Sequence, residues 1–304
     1  MKFHNLRDFV TVGRLGGIRA AARELNLTQP ALSRSIRQLE DELGVPLFER
    51  TSRGAALNTF GRAFLARAEA ATQELNRGRE ELQQMRGDMG GTVSVAVSSV
   101  ASLMFLPAVL AAFKKQFSQA QVRIIDGTYP IIQRGLRDGS LDFAVGPLPP
   151  QTVGEDFVVE ELFANHRCVV GRKDHPLRSA RRLMDLGSAD WVITGAIGPR
   201  GEEFREIFVR YGLPVPNPSI QCESLIALLA LLAGTDSLTF LPRQWVESPL
   251  MAPLLSRIDI AETVPGPSTC LVRRDGLPLT PVADALANAF RREAAYYMPS
   301  LNLR

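Results

Sequence analysis

Apolar and polar positions along the chain change period several times, and each change marks a new unit. Over the first sixty residues the period is helical. Leu6, Phe9, Val10 and Val12 form one apolar stripe, closed by Gly16-Gly17. Ile18 to Leu25 reads as a second helix whose consecutive alanines, Ala20-Ala21-Ala22, permit close approach by a neighbour. After the short break Asn26-Leu27-Thr28, Thr28 is a good N-cap and Pro30 falls in the first turn, where a missing N–H does no harm. The third helix runs to about Leu43, with Leu32, Ile36, Leu39 and Leu43 turned inward. Gln29, Ser33, Arg34 and Arg37 occupy its other side. Gly44 to Leu57 then has a hairpin pattern with Arg50 and Arg53 near its tip.

From Asn58 to about Arg86 there is no proline and much Ala, Glu, Gln, Arg and Leu, which predicts one long helix. Phe64, Ala68, Ala71, Leu75, Gly78, Leu82 and Met85 alternate spacings of four and three. So narrow a stripe suits a partner helix better than the broad face of a helix lying on its own domain. Gly87-Asp88-Met89-Gly90-Gly91 ends the helix and is expected to supply a hinge. Beyond it, strand-like runs (92–98, 122–125, 142–145, 168–171, 191–194, 219–222, 237–241, 269–272) alternate with helical ones (102–117, 131–137, 180–186, 202–211, 225–233, 281–294). This alternation predicts an α/β body of βαβ units with mainly parallel sheets, whose ligands sit beyond the carboxyl ends of the strands.

Composition narrows the function. The 304 residues are enough for two or three domains. No apolar run approaches the ~20 residues that span a bilayer. The start, Met1-Lys2-Phe3-His4-Asn5, has no apolar segment of a secretory signal behind it, so a cytoplasmic protein without a membrane partner is expected. Cys168, Cys222 and Cys270 are far apart and read as buried reduced thiols. His4, His166 and His175 lack metal-ligand spacing, and no metal or cofactor is expected. Charge is uneven. Residues 1–67 hold eleven basic and six acidic side chains, a net +5, while the whole chain carries +3. A basic head on a neutral body suits a polyanion.

A polar helix face is often no more than solvated surface. Here it follows a short inter-helix turn and precedes a hairpin carrying arginine, a combination that fits DNA recognition. Gln pairs with the edge of adenine and Arg with guanine in the major groove, Ser and a helix start suit phosphates, and a wing arginine suits the narrow minor groove. In the body, hydroxyls and backbone donors gather at strand–helix turns: Ser98-Ser99, Gly127-Thr128-Tyr129-Pro130, Gly146-Pro147, Gly195 to Gly201 with Gly198 and Arg200, and Glu223-Ser224. Such groups suit a carboxylate or sulfonate, although Gly and Ser mark most turns of this kind. The turn Gly195-x-x-Gly198-x-x-Gly201 lacks the close glycine pair of a dinucleotide site and the Lys-Ser/Thr of a P-loop, and no G-x-S-x-G elbow occurs. No catalytic residue is assigned, and the chain is not expected to be an enzyme. A free two-lobed binding protein would need an export signal and would have no use for the head.

Ala21-Ala22, Leu25, Thr28-Gln29-Pro30-Ala31-Leu32-Ser33, Ile36, Leu39-Glu40, Leu43-Gly44, Leu47-Phe48-Glu49-Arg50, Arg53, Leu57 and Gly61 follow in order without gaps. This run resembles the signature of the LysR-type transcriptional regulators. Thr28 and Gly17 stand where serine is usual and Asn58 where threonine is, each able to cap or begin a helix. The resemblance implies a winged helix-turn-helix (1–58), a linker helix that pairs two chains (59–87) and an effector-binding domain (88–304). That domain would have two lobes like those of periplasmic binding proteins, lobe I about 92–162 and 268–294 and lobe II about 163–267. It also implies that Gln29, Pro30, Ser33 and Arg34 enter the major groove of a double-stranded operator and that Arg53 reaches the minor groove. Thr28, Arg37 and Arg50 complete the candidate DNA-binding set. The expected partners are a second copy or a tetramer of this chain and, for an activator, RNA polymerase. Asp126-Gly127-x-Tyr129-Pro130 and Cys222-Glu223-Ser224 look like segments of members that sense aromatic acids. A small organic anion is therefore the expected effector, with Ser98, Ser99, Thr128, Tyr129, Gly146, Gly198, Arg200 and Ser224 as candidate contacts.

Overall fold

Three short helices and a hairpin make the head. The computed structural model describes residues 1–51, 54–127, 129–147, 156–194 and 199–301. Helix α1 (Phe3–Leu15) stops at Gly16, whose φ of 68° is a conformation glycine adopts without strain. Helices α2 (Ile18–Glu24) and α3 (Gln29–Leu43) follow, and the Thr28 hydroxyl caps α3 by accepting the Ala31 N–H. Strands β1 (Phe48–Thr51) and β2 (Gly54–Leu57) pair antiparallel from Phe48↔Leu57 to Thr51↔Gly54. Phe9 lies at the centre of the head, with ring centroids 5.6 Å from Phe48 and 5.5 Å from Phe64. Glu40 fastens the hairpin to α3, its Oε1 accepting the N–H groups of Leu47 and Phe48 at 2.7 and 3.3 Å.

Helix α4 (Thr59–Met85) leaves the head as a rod about 40 Å long, at 1.5 Å per residue over 27 residues. Asn58 caps it, accepting the Gly61 N–H at 2.9 Å, and its own side-chain amide donates to Pro46 O. Asparagine thus performs the capping expected of threonine. Gly61 is required by close approach: a Cβ there would overlap the Leu47 carbonyl oxygen.

In the body, β3 (Thr92–Val97), α5 (Ser99–Met104), α6 (Leu106–Gln116), β4 (Gln121–Asp126), α7 (Tyr129–Arg137), β5 (Phe143–Pro147) and β6 (Phe157–Phe163) build the first lobe. The chain crosses over and forms β7 (His166–Arg172), a 3-10 turn (Leu183–Leu186), β8 (Asp190–Thr194), α8 (Pro199–Arg210), β9 (Ile220–Cys222), α9 (Leu225–Gly234), β10 (Ser237–Pro242), α10 (Gln244–Glu247), β11 (Leu255–Ile258) and β12 (Val264–Pro265). It returns through residues 266–268 to β13 (Thr269–Arg274) and α11 (Pro281–Leu301). The first sheet has the order β4-β3-β5-β13-β6, the second β11-β7-β10-β8-β9 with β12 also on β7.

Three expectations are corrected. The sheets are mixed, not mainly parallel: β3, β4 and β5 are parallel, whereas β13 runs antiparallel to both β5 and β6. A strand that re-enters a lobe after a crossing arrives from the opposite end, and β7 does the same in the second sheet. The helix expected over 102–117 breaks at Phe105, because Pro107 has no N–H for the carbonyl one turn back. Only a 3-10 turn forms within 180–186, since Arg181 O accepts Ala261 N–H at 2.8 Å and is lost to a helical ladder.

One apolar core runs through both lobes, from Val93, Phe113 and Phe290 by way of Phe105 and Phe163 to Trp245, Leu228 and Leu255. A second-lobe cluster is centred on Trp191, stacked on Phe240 at 4.8 Å and edge-on to Phe204 and Phe208. The crossings are stitched by Asn165, which is buried. Its Nδ2 donates to Thr269 Oγ1 (2.8 Å) and Pro267 O (3.2 Å), and its Oδ1 accepts from Gln244 Nε2 at 2.8 Å.

Candidate DNA interface, linker and interlobe cleft

Helix α3 presents two unlike faces. Leu32, Ile36 and Leu39 are buried in the head, while Gln29, Pro30, Arg34 and Arg37 are exposed beside the exposed cap Thr28, with Ser33 half-buried. Thr28, Gln29 and Pro30 lie at the helix start, where backbone N–H groups are unpaired and the helix dipole is positive, and Arg34 and Arg37 follow one and two turns on. Cations, amide donors and helix start together form a surface suited to phosphates and base edges. Arg50 sits in β1 opposite Ala55, at the end of the hairpin pairing. Arg53 lies outside the described residues.

The linker helix has three surfaces. Near its start, Phe64 and Ala68 pack into the head, so these two seam positions are covered within the chain by α1. Further along, Leu75, Leu82 and Met85 are 58%, 64% and 73% exposed, and Ala71 and Gly78 on the same stripe are exposed as well. An open groove of about 340 Å³ lies between the head and the helix start, lined by Leu43, Val45, Leu47, Phe60, Ala63, Phe64 and Arg67.

The third surface is bonded to the first lobe. Arg77 Nε pairs with Asp142 at 3.0 Å, and its Nη2 donates to the carbonyls of Gly139 and Leu141 at 2.7 and 2.6 Å. Arg274 pairs with Glu74 at 2.9 Å. Near the helix end Gln84, 3% exposed, donates to Gly90 O and accepts the Val282 N–H at 3.0 Å. The expected hinge segment, 87–91, follows directly on the end of the helix. Gly87 and Gly91 do turn the chain, with φ of 96° and 104°, but Gln84 straps across that turn and ties it to the start of α11. Burial raises the carboxyl pKa of Asp142, against the pull of Arg77. Glu80 is raised too, first by burial and then by the Asp142 charge.

At one edge of the first sheet, the carboxyl ends of the parallel strands β3, β4 and β5 lie side by side. The Ser98 N–H donates to Val145 O at 2.8 Å and its hydroxyl caps α5 by accepting the Ala101 N–H. Gly146 is buried against the Ser98 side chain, and Gly127 N–H bonds Val97 O, so these residues shape the turn. Ser98 thus has its backbone donor and cap already engaged, and Ser99, half-buried, opens the helix. Ser224 caps α9 through the Ala227 N–H. Tyr129 begins α7 and Arg200 lies in the first turn of α8. Thr128 and Gly198 lie outside the described residues. The sequence reading passed over Arg167 and Thr239, which line a small cleft with Thr194 and Glu203. Arg167 pairs with Glu203 at 2.7 Å, and Thr239 donates to Val192 O. Neither has a sequence motif around it.

All three cysteines are free and buried, and burial pushes the thiols of Cys168 and Cys270 up to about 12 and about 11. Among the described residues there is no cluster of His, Cys, Asp and Glu able to hold a metal, and no helix long and apolar enough to cross a membrane.

Two family models match. Residues 3–62 match the bacterial regulatory helix-turn-helix protein, lysR family, and residues 86–295 match the LysR substrate binding domain. The chain is similar to the HTH-type transcriptional regulator TdcA of Escherichia coli K12, 28% identical over 97% of this chain and 94% of the relative. Among solved structures it resembles a full-length OxyR variant from Pseudomonas aeruginosa (TM-score 0.72, 22% identity, 96% of this chain and 95% of that one). It also resembles full-length CbnR in complex with its target DNA (TM-score 0.68, 24% identity, 96% and 100%).

Proposed function

The chain belongs to the LysR family of DNA-binding transcriptional regulators, which are not enzymes, and from that premise we propose how its parts divide the work. Helix α3 lies in the major groove of a double-stranded operator. Gln29 and Arg34 read base edges, Thr28, Pro30, Ser33 and Arg37 set its seat on the backbone, and Arg50 and Arg53 on the hairpin reach the neighbouring minor groove. The observation that carries this reading is the exposed cationic and amide face at the start of α3, opposite a fully buried apolar stripe.

The protein works as a dimer or tetramer of itself, with the exposed stripe Ala71, Leu75, Gly78, Leu82 and Met85 buried against a second copy. A small organic anion, an aromatic carboxylate or sulfonate, binds between the lobes. Support comes from the matched substrate binding domain and from the helix starts that follow strands at Ser99, Arg200 and Ser224. Binding acts on DNA through unequal affinity for two arrangements of the oligomer. The site of action is the cytoplasm, with RNA polymerase as a further partner where the protein activates.

The test of DNA readout is competition between base-substituted operators. Arg34→Ala should cost about 1–3 kcal/mol on the cognate site and relax preference at one base step, and Arg53→Ala should weaken all sequences evenly. An unchanged base preference in Arg34→Ala would overturn the assignment. For the ligand, Ser99→Ala and Arg200→Ala should lower effector affinity in calorimetry with basal operator binding intact. Unchanged affinity in both would place the ligand elsewhere.

A further inference from the structure

Behind the recognition surface, α1 and α3 meet through a polar set that the apolar pattern does not require. Asp8 is 2% exposed and Asn5 3%, both on the face of α1 that also carries Leu6 and Phe9. Asp8 Oδ2 accepts the Ser35 hydroxyl at 2.6 Å, and its Oδ1 accepts from Arg7 Nε and Nη2 at 3.2 and 2.9 Å. Asn5 Nδ2 donates to Ser35 O at 2.8 Å, with Ser35 Oγ at 3.3 Å and Gln38 Oε1 at 3.4 Å. Ser35 lies on the buried side of α3, and its chain neighbour Arg34 is exposed.

We propose that Asp8 is a positioning residue for DNA recognition: through Ser35 it fixes the rotation of α3 about its own axis, and so the base edges that Gln29 and Arg34 meet. The inference rests on α3 being the recognition helix. Apolar contacts such as Leu32 and Ile36 against α1 hold two helices together but tolerate small rotations. Hydrogen bonds do not. Side-chain tips lie roughly 5–6 Å from a helix axis, so a turn of about 10° displaces them by about 1 Å. A sideways shift of that size swings a bond of 2.6 or 2.8 Å by about 20° and strains its angle, and bidentate reading of a base edge is sensitive to the same displacement. Burying a carboxylate between two helices is unfavourable compared with apolar packing of the same volume. What the charge adds is direction, with Arg7 balancing it at the rim.

The test uses the full chain and a duplex selected by the wild-type protein from a randomised pool. Affinities for that duplex and for single base-pair changes are measured beside the thermal midpoint. Asp8→Ala should flatten discrimination at one or two base steps by about tenfold, with affinity for unselected duplex within about twofold of wild type. Asp8→Asn, which still accepts from Ser35, should keep most of the discrimination. The double change Asp8→Leu with Ser35→Ala guards against a variant that merely unfolds. Apolar replacement of the pair should leave the midpoint at or above wild type while discrimination is lost. A double variant that is stable and discriminates as wild type does would overturn the proposal, as would Asp8→Ala lowering the midpoint alone. Arg34→Ala runs alongside: if it too leaves base preference intact, the recognition helix itself is wrongly assigned.

Discussion

Replacing Arg77 with glutamine should destabilise the protein in a manner that depends on pH in an unusual direction. Arg77 is the only cation within bonding distance of the Asp142 carboxylate among the described contacts, and that side chain is 10% exposed. Removing one partner of a buried ion pair costs about 3–5 kcal/mol, a large share of the ~5–15 kcal/mol that keeps a domain folded. The carbonyls of Gly139 and Leu141 lose a donor as well. The Ser94 N–H, 2.7 Å from Asp142 Oδ2, remains. Burial already raises Asp142 and Glu80 above the ordinary carboxylate range, and loss of Arg77 raises both further. For an acid raised in the folded state, its stabilising contribution is full below the unfolded pKa and is lost as pH rises through the folded pKa. The defect should therefore be smallest at the acid end, where Asp142 is protonated, and should grow by up to about 1.4 kcal/mol per pH unit as pH rises. Urea unfolding of wild type and Arg77→Gln at three pH values across about 5–8 measures this, with Asp142→Asn as a second variant. Asp142→Asn in the Arg77→Gln background should recover most of the loss at the upper end. A defect of equal size at every pH would refute the reasoning, because the orphaned group would then not be a carboxylate.

Gly61→Ala should lower the stability of the head by about 1–3 kcal/mol or more, since its methyl group meets the Leu47 carbonyl; thermal unfolding reads the shift. Leu75→Asp should split the oligomer without unfolding the chain, because Leu75 is exposed in the single chain and a seam would bury the charge at a cost of several kcal/mol. Sedimentation showing a wild-type oligomer would remove the seam. Cys168 and Cys270, with thiols pushed up to about 12 and about 11, should react with a thiol reagent at neutral pH at least about a hundredfold more slowly than a free cysteine until the protein unfolds.

The head was legible in the sequence almost residue by residue, for a physical reason. Its helices are short, amphipathic and punctuated by residues with one strong local preference, Gly16, Thr28, Pro30 and Asn58, so local chemistry and global packing agree. The body was legible as alternation but not as topology. Strands β6, β11 and β12 went unread, since β6 is mostly half-exposed with Glu160 and Glu161 in its middle, and the other two are short. Strand direction depends on where the chain crosses between lobes, and no local pattern records that. The heptad seam showed another limit. Periodicity identified the stripe from Phe64 to Met85, yet its first part is taken by the protein's own α1.

What no periodicity could show is where polar side chains are buried, and several of these lie where two elements or lobes meet. Asp8, Asn5 and Ser35 lie between α1 and α3; Arg77, Asp142 and Gln84 between α4 and the first lobe; Asn165, Gln244 and Thr269 between the two lobes. Inside each unit most buried contacts are apolar, with a few internal polar bonds such as Thr239 to Val192 O. At a joint two rigid bodies must meet at one angle, and directional bonds in a low-dielectric setting define an angle where apolar surfaces would slide. Helix α4 is fastened to the first lobe at Glu74, Arg77 and Gln84, and the second lobe reaches the first through Asn165 and the shared core. Asn165 therefore joins the second lobe to the first, and Arg77 joins the first lobe to the linker helix ahead of the glycines that follow it.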